Sequence, residues 1–187
     1  MKTDDELIAA YEAGDERAFA ELLDRHLDSV YTFAFRLIGS KEEADDVAQE
    51  TFLKAWKNLK RFRKGANFKT WLFSIARNTS IDFLRKKKPL LFGEMSRRDE
   101  DDDFEHGIAD SAPRAETLFD TRVSVERLEK AIAKLAPLYR EIITLHYQEE
   151  LTLDEAAKIL KTPLNTVKSR DRRGLIALRK LLEPEAE

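Results

Sequence analysis

The chemistry that this sequence indicates most directly is the binding of a polyanion near its C-terminal end. The segment TLDEAAKIL is followed by the tight turn KTPL and then by NTVKSRDRRGLIALRKLL. A short helix, a tight turn and a second helix rich in Lys and Arg near its start are typical of a helix-turn-helix, whose second helix enters the major groove. One face of that second helix carries groups that suit phosphates and guanine edges: Asn165, Lys168, Ser169, Arg172 and Arg173.

The opposite face of this predicted helix is mostly apolar, which favours packing against the rest of a small domain. At about 100° per residue, its inner residues are Val167, Gly174, Leu178 and Leu181. The alternative interpretation is a surface helix that carries basic residues for solubility.

A second basic segment, residues 54–88, differs because aromatic residues are interleaved with the charge. It holds twelve basic residues and one acidic residue. On a helix through 67–88, the predicted core stripe is Leu72, Ile75, Ala76, Thr79 and Phe83. A second stripe, Trp71, Ser74, Asn78, Asp82 and Arg85, adjoins the basic loop FRKGANF. Such groups suit unpaired bases, which stack on rings and offer their edges for hydrogen bonds. We interpret Phe68 and Phe83 as core, whereas Trp71 is either core or a stacking platform.

An acidic helix is predicted at residues 41–58, and its outer face carries an isolated leucine. The inner face is Ala44, Ala48, Thr51, Phe52 and Ala55. The outer face is Asp46, Gln49, Glu50, Leu53 and Lys57. A leucine ringed by polar groups is typical of an interface anchor.

No pattern in the chain indicates catalysis, a metal or a cofactor. The sequence has no cysteine. Its six glycines are too scattered to form a G-x-G-x-x-G dinucleotide-binding loop or a G-x-x-x-x-G-K-[ST] phosphate-binding loop. None of His26, His106 and His146 follows a glutamate by three residues, as a helical di-metal site requires. We therefore expect no catalytic residues, no metal and no cofactor.

The charge is strongly segregated, although 33 basic and 36 acidic residues leave a net charge of −3. Residues 1–53 carry −9, residues 54–88 carry +11, residues 89–120 carry −7 and residues 121–187 carry +2. Two separated basic segments indicate two contacts with a polyanion. The chain starts without a leader-like apolar core and has no run approaching the ~18 apolar residues of a membrane span. Together with the lack of cysteine, this predicts a soluble, cytoplasmic protein without membrane insertion.

Helical periodicity and capping signals divide the chain into two all-α domains. Residues 1–88 read as four helices, with starts at Thr3, Asp15, Ser40 and Asn67 and a stop at Pro89. Residues 89–120 show no helical spacing of apolar residues, and they hold six acidic residues between positions 99 and 105. This predicts an acidic, flexible linker. Residues 121–187 read as three or four shorter helices. No stretch alternates long enough to predict a sheet.

Three runs of the sequence share one resemblance: EADDVAQETFLKAW, FRKGANFKTWLFSIARNTSIDFLRKKK and LAPLYREIITLHYQEELTLDEAAKILKTPLNTVKSR. In this order, they resemble the extracytoplasmic-function (ECF) sigma factors of the bacterial sigma-70 family. The resemblance spans roughly 11–88 and 122–182. It implies that residues 1–88 are sigma region two and that residues 121–187 are region four, a helix-turn-helix.

The resemblance also implies partners and roles for particular residues. The beta-prime clamp of core RNA polymerase would bind Asp46, Gln49, Glu50 and Leu53. The beta flap of the polymerase is a further expected contact. The melted minus-ten strand of promoter DNA would be captured by Phe62, Arg63, Lys64, Asn67, Phe68, Trp71, Asn78, Asp82 and Arg85. The minus-thirty-five duplex would be read by Asn165, Thr166, Lys168, Ser169, Arg172 and Arg173. An anti-sigma factor is a further expected partner.

Two questions stay open beside this resemblance, one about the linker and one about the class of protein. The acidic linker either threads toward the RNA path of the polymerase or is a solvated tether. Residues 121–182 alone would suffice for an autonomous helix-turn-helix regulator, but the patch around Leu53 argues against that class.

The sequence departs from the family pattern in the second basic helix. Asn165 replaces the usual glycine and is itself a favourable helix-capping residue. Asp171 replaces an aliphatic residue and lies within about 40° of Val167 on the inner face. Because an unpaired buried carboxylate is costly, we expect Asp171 to reach the domain edge and pair with an Arg or Lys.

Overall fold

The first domain is a bundle of four helices whose limits follow the capping signals. The computed structural model describes residues 2–63, 65–87 and 125–183, and these ranges contain helices but no strand. The first-domain helices are α1 (Asp4–Glu12), α2 (Glu16–Ile38), α3 (Lys41–Asn58) and α4 (Phe68–Lys87), with a short 3-10 turn at Leu59–Arg61. The predicted all-α class is confirmed within these ranges. The predicted linker, with its stop at Pro89, lies outside them.

Most helix ends of this domain are fixed by the predicted residues. Thr3 forms a full capping box with Glu6, and the Asp15 carboxylate accepts from the backbone N–H of Arg17. Gly39 ends α2 in the left-handed region at φ 83°, where a side chain would be strained. Ser40 precedes α3 at the predicted start, but its side chain makes no capping bond.

Within residues 125–183, the second domain contains four α-helices arranged around the last one. These are α5 (Val125–Lys134), α6 (Pro137–Ile143), α7 (Leu153–Leu160) and α8 (Leu164–Leu182). A π-helical segment, Thr144–Gln148, continues α6. Gly174 lets α8 approach α6 closely, since a Cβ at this position would lie 3.3 Å from Cβ of Tyr139.

One apolar core runs through both domains. In the first domain, Phe33 and Phe73 meet edge to face with ring centroids 5.3 Å apart, and both are fully buried. The same cluster continues into the second domain at Ile142, Leu145 and Ile159. Helix α4 packs on α7, and α2 contacts α6. The two domains therefore form one packed unit in this structure.

Candidate nucleic-acid and polymerase interfaces

An aromatic cluster closes the end of the first domain where the basic loop lies. Phe62 is 9% exposed and Phe68 is 4% exposed, whereas Trp71 is half-buried against both. The ring centroids of Phe62 and Trp71 are 5.2 Å apart, and those of Phe68 and Trp71 are 5.6 Å apart. Phe62 and Phe68 therefore pack against Trp71 from the buried side, and Trp71 is the most accessible ring of the three.

The polar groups predicted to read the melted strand follow the outer side of α4. Asn78, Asp82 and Arg85 are exposed, as are Arg63 and Asn67 in and beside the loop. The Asn67 side chain caps α4, because its Oδ1 accepts from the backbone N–H of Thr70 at 3.0 Å. Lys64 lies outside the described residues.

The acidic patch on α3 has the predicted orientation. Ala44, Ala48, Thr51, Phe52 and Ala55 are buried, and Asp46, Gln49, Glu50 and Leu53 are exposed. Leu53 is 55% exposed, and Glu50 pairs with Lys54 at 3.0 Å. Trp56, one turn further on, is 50% exposed and donates its indole N–H to the hydroxyl of Tyr11 at 2.8 Å. The spacing of Trp56 from Leu53 places both side chains on one face of the helix.

Residues from two separately predicted sites meet at one cleft. It lies between α3 and α4 and has a volume of about 490 Å³. Asp46 and Glu50 of the acidic patch line one wall, and Asp82 and Arg85 line the other. These two belong to the stripe that is predicted to read the melted strand, called below the strand-reading stripe: Trp71, Ser74, Asn78, Asp82 and Arg85. A partner on α3 and a nucleic-acid strand on α4 would therefore be immediate neighbours.

The helix-turn-helix is formed as predicted, by α7, a turn at residues 161–163 and α8. Thr152 and Glu155 make a complete capping box at the start of α7. Lys161 takes a left-handed conformation at φ 53° and redirects the chain. Pro163 is the N-cap of α8, so Asn165 lies inside its first turn and is not the capping residue.

The outer face of α8 carries the predicted reading groups. Asn165, Lys168 and Ser169 are exposed, and Thr166, Arg172 and Arg173 are half-buried. On the inner face Val167, Gly174 and Leu178 are buried, as expected. Leu181 is 40% exposed, and Leu182 is the buried residue of the last turn. The prediction for Leu181 was wrong because the helix meets α5 at the neighbouring position.

Asp171 has a different partner from the one expected. It is 9% exposed, and its Oδ2 accepts from the Tyr147 hydroxyl at 3.3 Å, while its Oδ1 is buried without a hydrogen-bond partner. Burial raises the pKa of Asp171, against the opposing influence of His146 and Tyr147. Burial and the nearby carboxylate raise the pKa of Tyr147 to about 12, so the phenol remains a donor. The expected pairing with an Arg or Lys was wrong because the π-helical segment brings Tyr147 over this position.

Three glutamates of the second domain bind the first domain beside the strand-reading stripe. Lys69 Nζ lies 3.1 Å from Glu149 Oε2 and donates to the Glu149 carbonyl oxygen at 2.7 Å. Arg77 Nε lies 3.1 Å from Glu141 Oε2. Glu155 Oε1 accepts from Asn67 Nδ2 at 2.8 Å and from the Thr70 hydroxyl at 3.3 Å.

Sequence reasoning missed these contacts. The paired residues are 64 to 88 positions apart, and no local pattern relates them. Lys69 and Arg77 belonged to a recognised basic segment, but nothing in that segment indicated acidic partners from the other domain.

Two negative findings apply to the described ranges. No helix within them is long and apolar enough to cross a membrane. Among the same residues, no group of three His, Cys, Asp or Glu side chains is placed to hold a metal ion.

Comparisons with known proteins agree on one family. The family models described as Sigma-70 region 2 and Sigma-70, region 4 match residues 22–89 and 125–178. The ECF RNA polymerase sigma factor SigW of Bacillus subtilis is 37% identical over 177 residues, covering 94% of each chain. The RNA polymerase sigma-H factor of Pseudomonas aeruginosa is 30% identical over 189 residues, covering 98% of this chain and 96% of the other.

Two solved structures are similar over most of the chain. The sigma factor RpoE of Bartonella quintana, in complex with the anti-sigma factor NepR, has a TM-score of 0.66 and 28% identity, covering 90% of this chain and 98% of the other. CnrH, in complex with the cytosolic domain of CnrY, has a TM-score of 0.68 and 27% identity, covering 98% and 99%.

Proposed function

Because the chain belongs to the sigma-70 family of RNA polymerase sigma factors, in its ECF group, we propose that its two domains divide promoter recognition between them. Residues 1–88 act as region two, which binds core polymerase and captures the minus-ten strand. Residues 121–187 act as region four, which reads the minus-thirty-five duplex. Residues 89–120 join them. The factor directs core polymerase to specific promoters and performs no chemistry of its own.

The observation that carries this assignment is the shared cleft between α3 and α4. The beta-prime clamp docks on Asp46, Gln49, Glu50 and Leu53, where an apolar side chain is exposed among polar ones. The non-template strand binds the opposite wall, where Asp82 and Arg85 continue the stripe that begins at Trp71. A factor bound in this way holds the melted strand directly beside the polymerase.

Region four reads duplex DNA through α8. Asn165, Lys168 and Ser169 are exposed at its start, which suits entry into the major groove. Thr166, Arg172 and Arg173 complete the predicted contacts. The beta flap of the polymerase is the proposed further partner, and an anti-sigma factor is the proposed inhibitor, since similar sigma factors have been solved in complex with one. We place this activity in the cytoplasm.

The function is tested by transcription from a promoter fragment by core polymerase with and without the purified protein. Promoter-specific transcripts that need both components are expected. Tight, specific duplex binding by the chain alone, without any effect on core polymerase, would instead identify an autonomous regulator.

A further inference from the structure

Helix α1 carries none of the residues to which the proposed function assigns a role, yet one of its side chains is linked to the aromatic cluster that includes Trp71. Asp4, in the first turn of α1, binds two residues of α2 through separate oxygens. Its Oδ1 accepts from Arg25 Nη1 at 2.7 Å, and its Oδ2 lies 2.8 Å from His26 Nε2. A carboxylate only accepts hydrogen bonds, so Nε2 of His26 carries the hydrogen. Asp4 therefore fixes one edge of the His26 ring.

The His26 ring lies behind the aromatic cluster. It is 7% exposed, and its centroid lies 5.6 Å from that of Phe68, with an angle of 53° between the ring planes. Phe68 is itself buried, and its centroid lies 5.6 Å from that of Trp71. A chain of contacts therefore leads from the Asp4 carboxylate through two buried rings to the half-buried ring of Trp71.

The hydrogen bond from His26 to Asp4 fixes a torsion that the histidine side chain alone leaves loose. The last torsion of a histidine side chain has broad energy minima, so the direction of the ring depends on the groups that its nitrogens bind. A binding surface gains affinity when its side chains are already held in the bound arrangement, because less conformational freedom is lost on binding. A fixed His26 ring gives Phe68, and through it Trp71, such a support.

Resting on the proposed function, we propose that Asp4 and His26 are positioning residues for strand capture. The carboxylate holds the imidazole against Phe68, and Phe68 holds the Trp71 ring where an unpaired base stacks. Helix α1 then contributes to strand opening without touching DNA. Removal of the Asp4 carboxylate leaves the bundle folded but gives the rings of Phe68 and Trp71 more freedom.

Attachment of α1 to the bundle is the merely structural alternative, and the chain contains an internal reference for it. The two tryptophans of the sequence are Trp56 and Trp71. Trp56 donates its indole N–H to the hydroxyl of Tyr11, in the last turn of α1, at 2.8 Å. If loss of the Asp4 carboxylate only detached α1, the surroundings of Trp56 would change together with those of Trp71. A positioning role changes the surroundings of Trp71 alone.

The first test reads both tryptophans in the full chain. The protein is labelled with 5-fluorotryptophan, and the two fluorine resonances are assigned with Trp56→Phe. Asp4→Ala is the test variant, and Asp5→Ala is the control, since Asp5 lies in the same turn of α1 and is exposed. We expect the Trp71 resonance to shift or broaden in Asp4→Ala and both resonances to stay unchanged in Asp5→Ala. An unchanged Trp71 resonance in Asp4→Ala, or equal changes at both tryptophans, would overturn the proposal.

The second test asks whether the effect passes through Phe68. Phe68→Leu removes the ring that lies between His26 and Trp71. We expect Asp4→Ala to have no further effect on the Trp71 resonance when it is introduced into Phe68→Leu, because the chain of contacts is already broken. A change of the same size with and without Phe68 would show that Asp4 acts by another route and would disprove the positioning role.

The consequence for strand capture is measured with core polymerase and a duplex promoter that carries 2-aminopurine in its minus-ten element. We expect Asp4→Ala to slow strand opening about threefold to tenfold relative to Asp5→Ala, with initial association unchanged. Equal rates of opening in the two variants would contradict the proposal. Failure of the proposed function is distinguishable, because the unsubstituted protein would then not direct core polymerase to the promoter, whereas the fluorine resonances are measured without polymerase.

Discussion

Asn67 and Glu155 each cap a helix and are joined to each other by a hydrogen bond of 2.8 Å between Asn67 Nδ2 and Glu155 Oε1. Asn67 caps α4 through its Oδ1. Glu155 completes the capping box of α7 through its Oε2. The starts of α4 and α7 are therefore fixed against one another by two side chains.

Glu155→Ala is expected to destabilise the protein by about 1 kcal/mol, since it removes the capping box of α7 together with the contacts to α4. Thermal unfolding measures the change. Asp154→Ala is the control, because Asp154 is in the same turn and pairs only with exposed Lys158. An equal loss in both variants would contradict a special role for Glu155.

The contribution of Glu155 should also depend on pH. Partial burial raises its pKa, but hydrogen bonds from Thr152 and Thr70 outweigh this, and the pKa is lowered below the ordinary value of 4.5. A carboxylate whose pKa is lowered by folding stabilises the folded state at pH values above its unfolded-state pKa. That stabilisation is lost as the pH falls through the folded-state pKa. Between neutral pH and pH values below 4.5, the unsubstituted protein should lose more stability than Glu155→Gln. Parallel pH profiles would contradict this.

Leu53→Asp is expected to abolish promoter-directed transcription without unfolding the protein. Leu53 is 55% exposed in the free chain, so the substitution costs little there. A carboxylate desolvated at the clamp interface costs several kcal/mol, on the order expected for a lost hot spot. Val125→Asp, at a residue that is 74% exposed in the second domain, is the control. Co-purification of the Leu53 variant with core polymerase at the unsubstituted yield would disprove the docking site.

Asn78→Ala and Trp71→Ala are expected to impair strand opening more than initial association, because stacking and base-edge contacts form only with unpaired bases. The loss of one stack should cost about 1–3 kcal/mol. Trp71 also packs on Phe62 and Phe68, so the melting temperature of the Trp71→Ala variant must be measured together with its rate of strand opening. The exposed Asn78 provides the variant without that complication. Normal rates of opening in both variants would remove these residues from the reading surface.

Asp171→Asn is expected to stabilise the protein at neutral pH. Burial raises the pKa of Asp171 above its ordinary value of 3.8. Its contribution to stability is therefore greatest below pH 3.8 and is lost as the pH rises through the folded value. The amide removes the buried charge and still accepts from Tyr147. Asp171→Leu is also expected to stabilise the fold, but less, because it leaves the Tyr147 hydroxyl unpaired.

Thermal unfolding at pH 7 measures these effects. Tyr147→Phe, which removes the hydroxyl that donates to Asp171, should lower the stability by about 1 kcal/mol. A lower melting temperature for Asp171→Asn would show that the charge itself has a favourable partner.

Local signals in the sequence predicted the helices well because caps and glycine stops act within a few residues. Asp15, Gly39 and Asn67 begin or end helices where expected. The orientation of α3, with Leu53 outside, followed from helical spacing alone. Ser40 and Asn165 are exceptions, since the Ser40 side chain makes no capping bond and Pro163, not Asn165, is the N-cap of α8.

Contacts between distant parts of the chain could not be predicted in this way. The partner of Asp171 lies in a π-helical segment, whose spacing departs from that of an α-helix. The half-burial of Trp71 depends on how the loop folds under it. The pairs of Lys69 and Arg77 with glutamates depend on the docking of a second domain, for which helical periodicity carries no information.

Because the apolar core runs through both domains, substitutions at Ile142, Leu145 or Ile159 remove packing that each domain shares with the other. Residues remote from the proposed DNA contacts therefore contribute to the stability of the helices that carry those contacts.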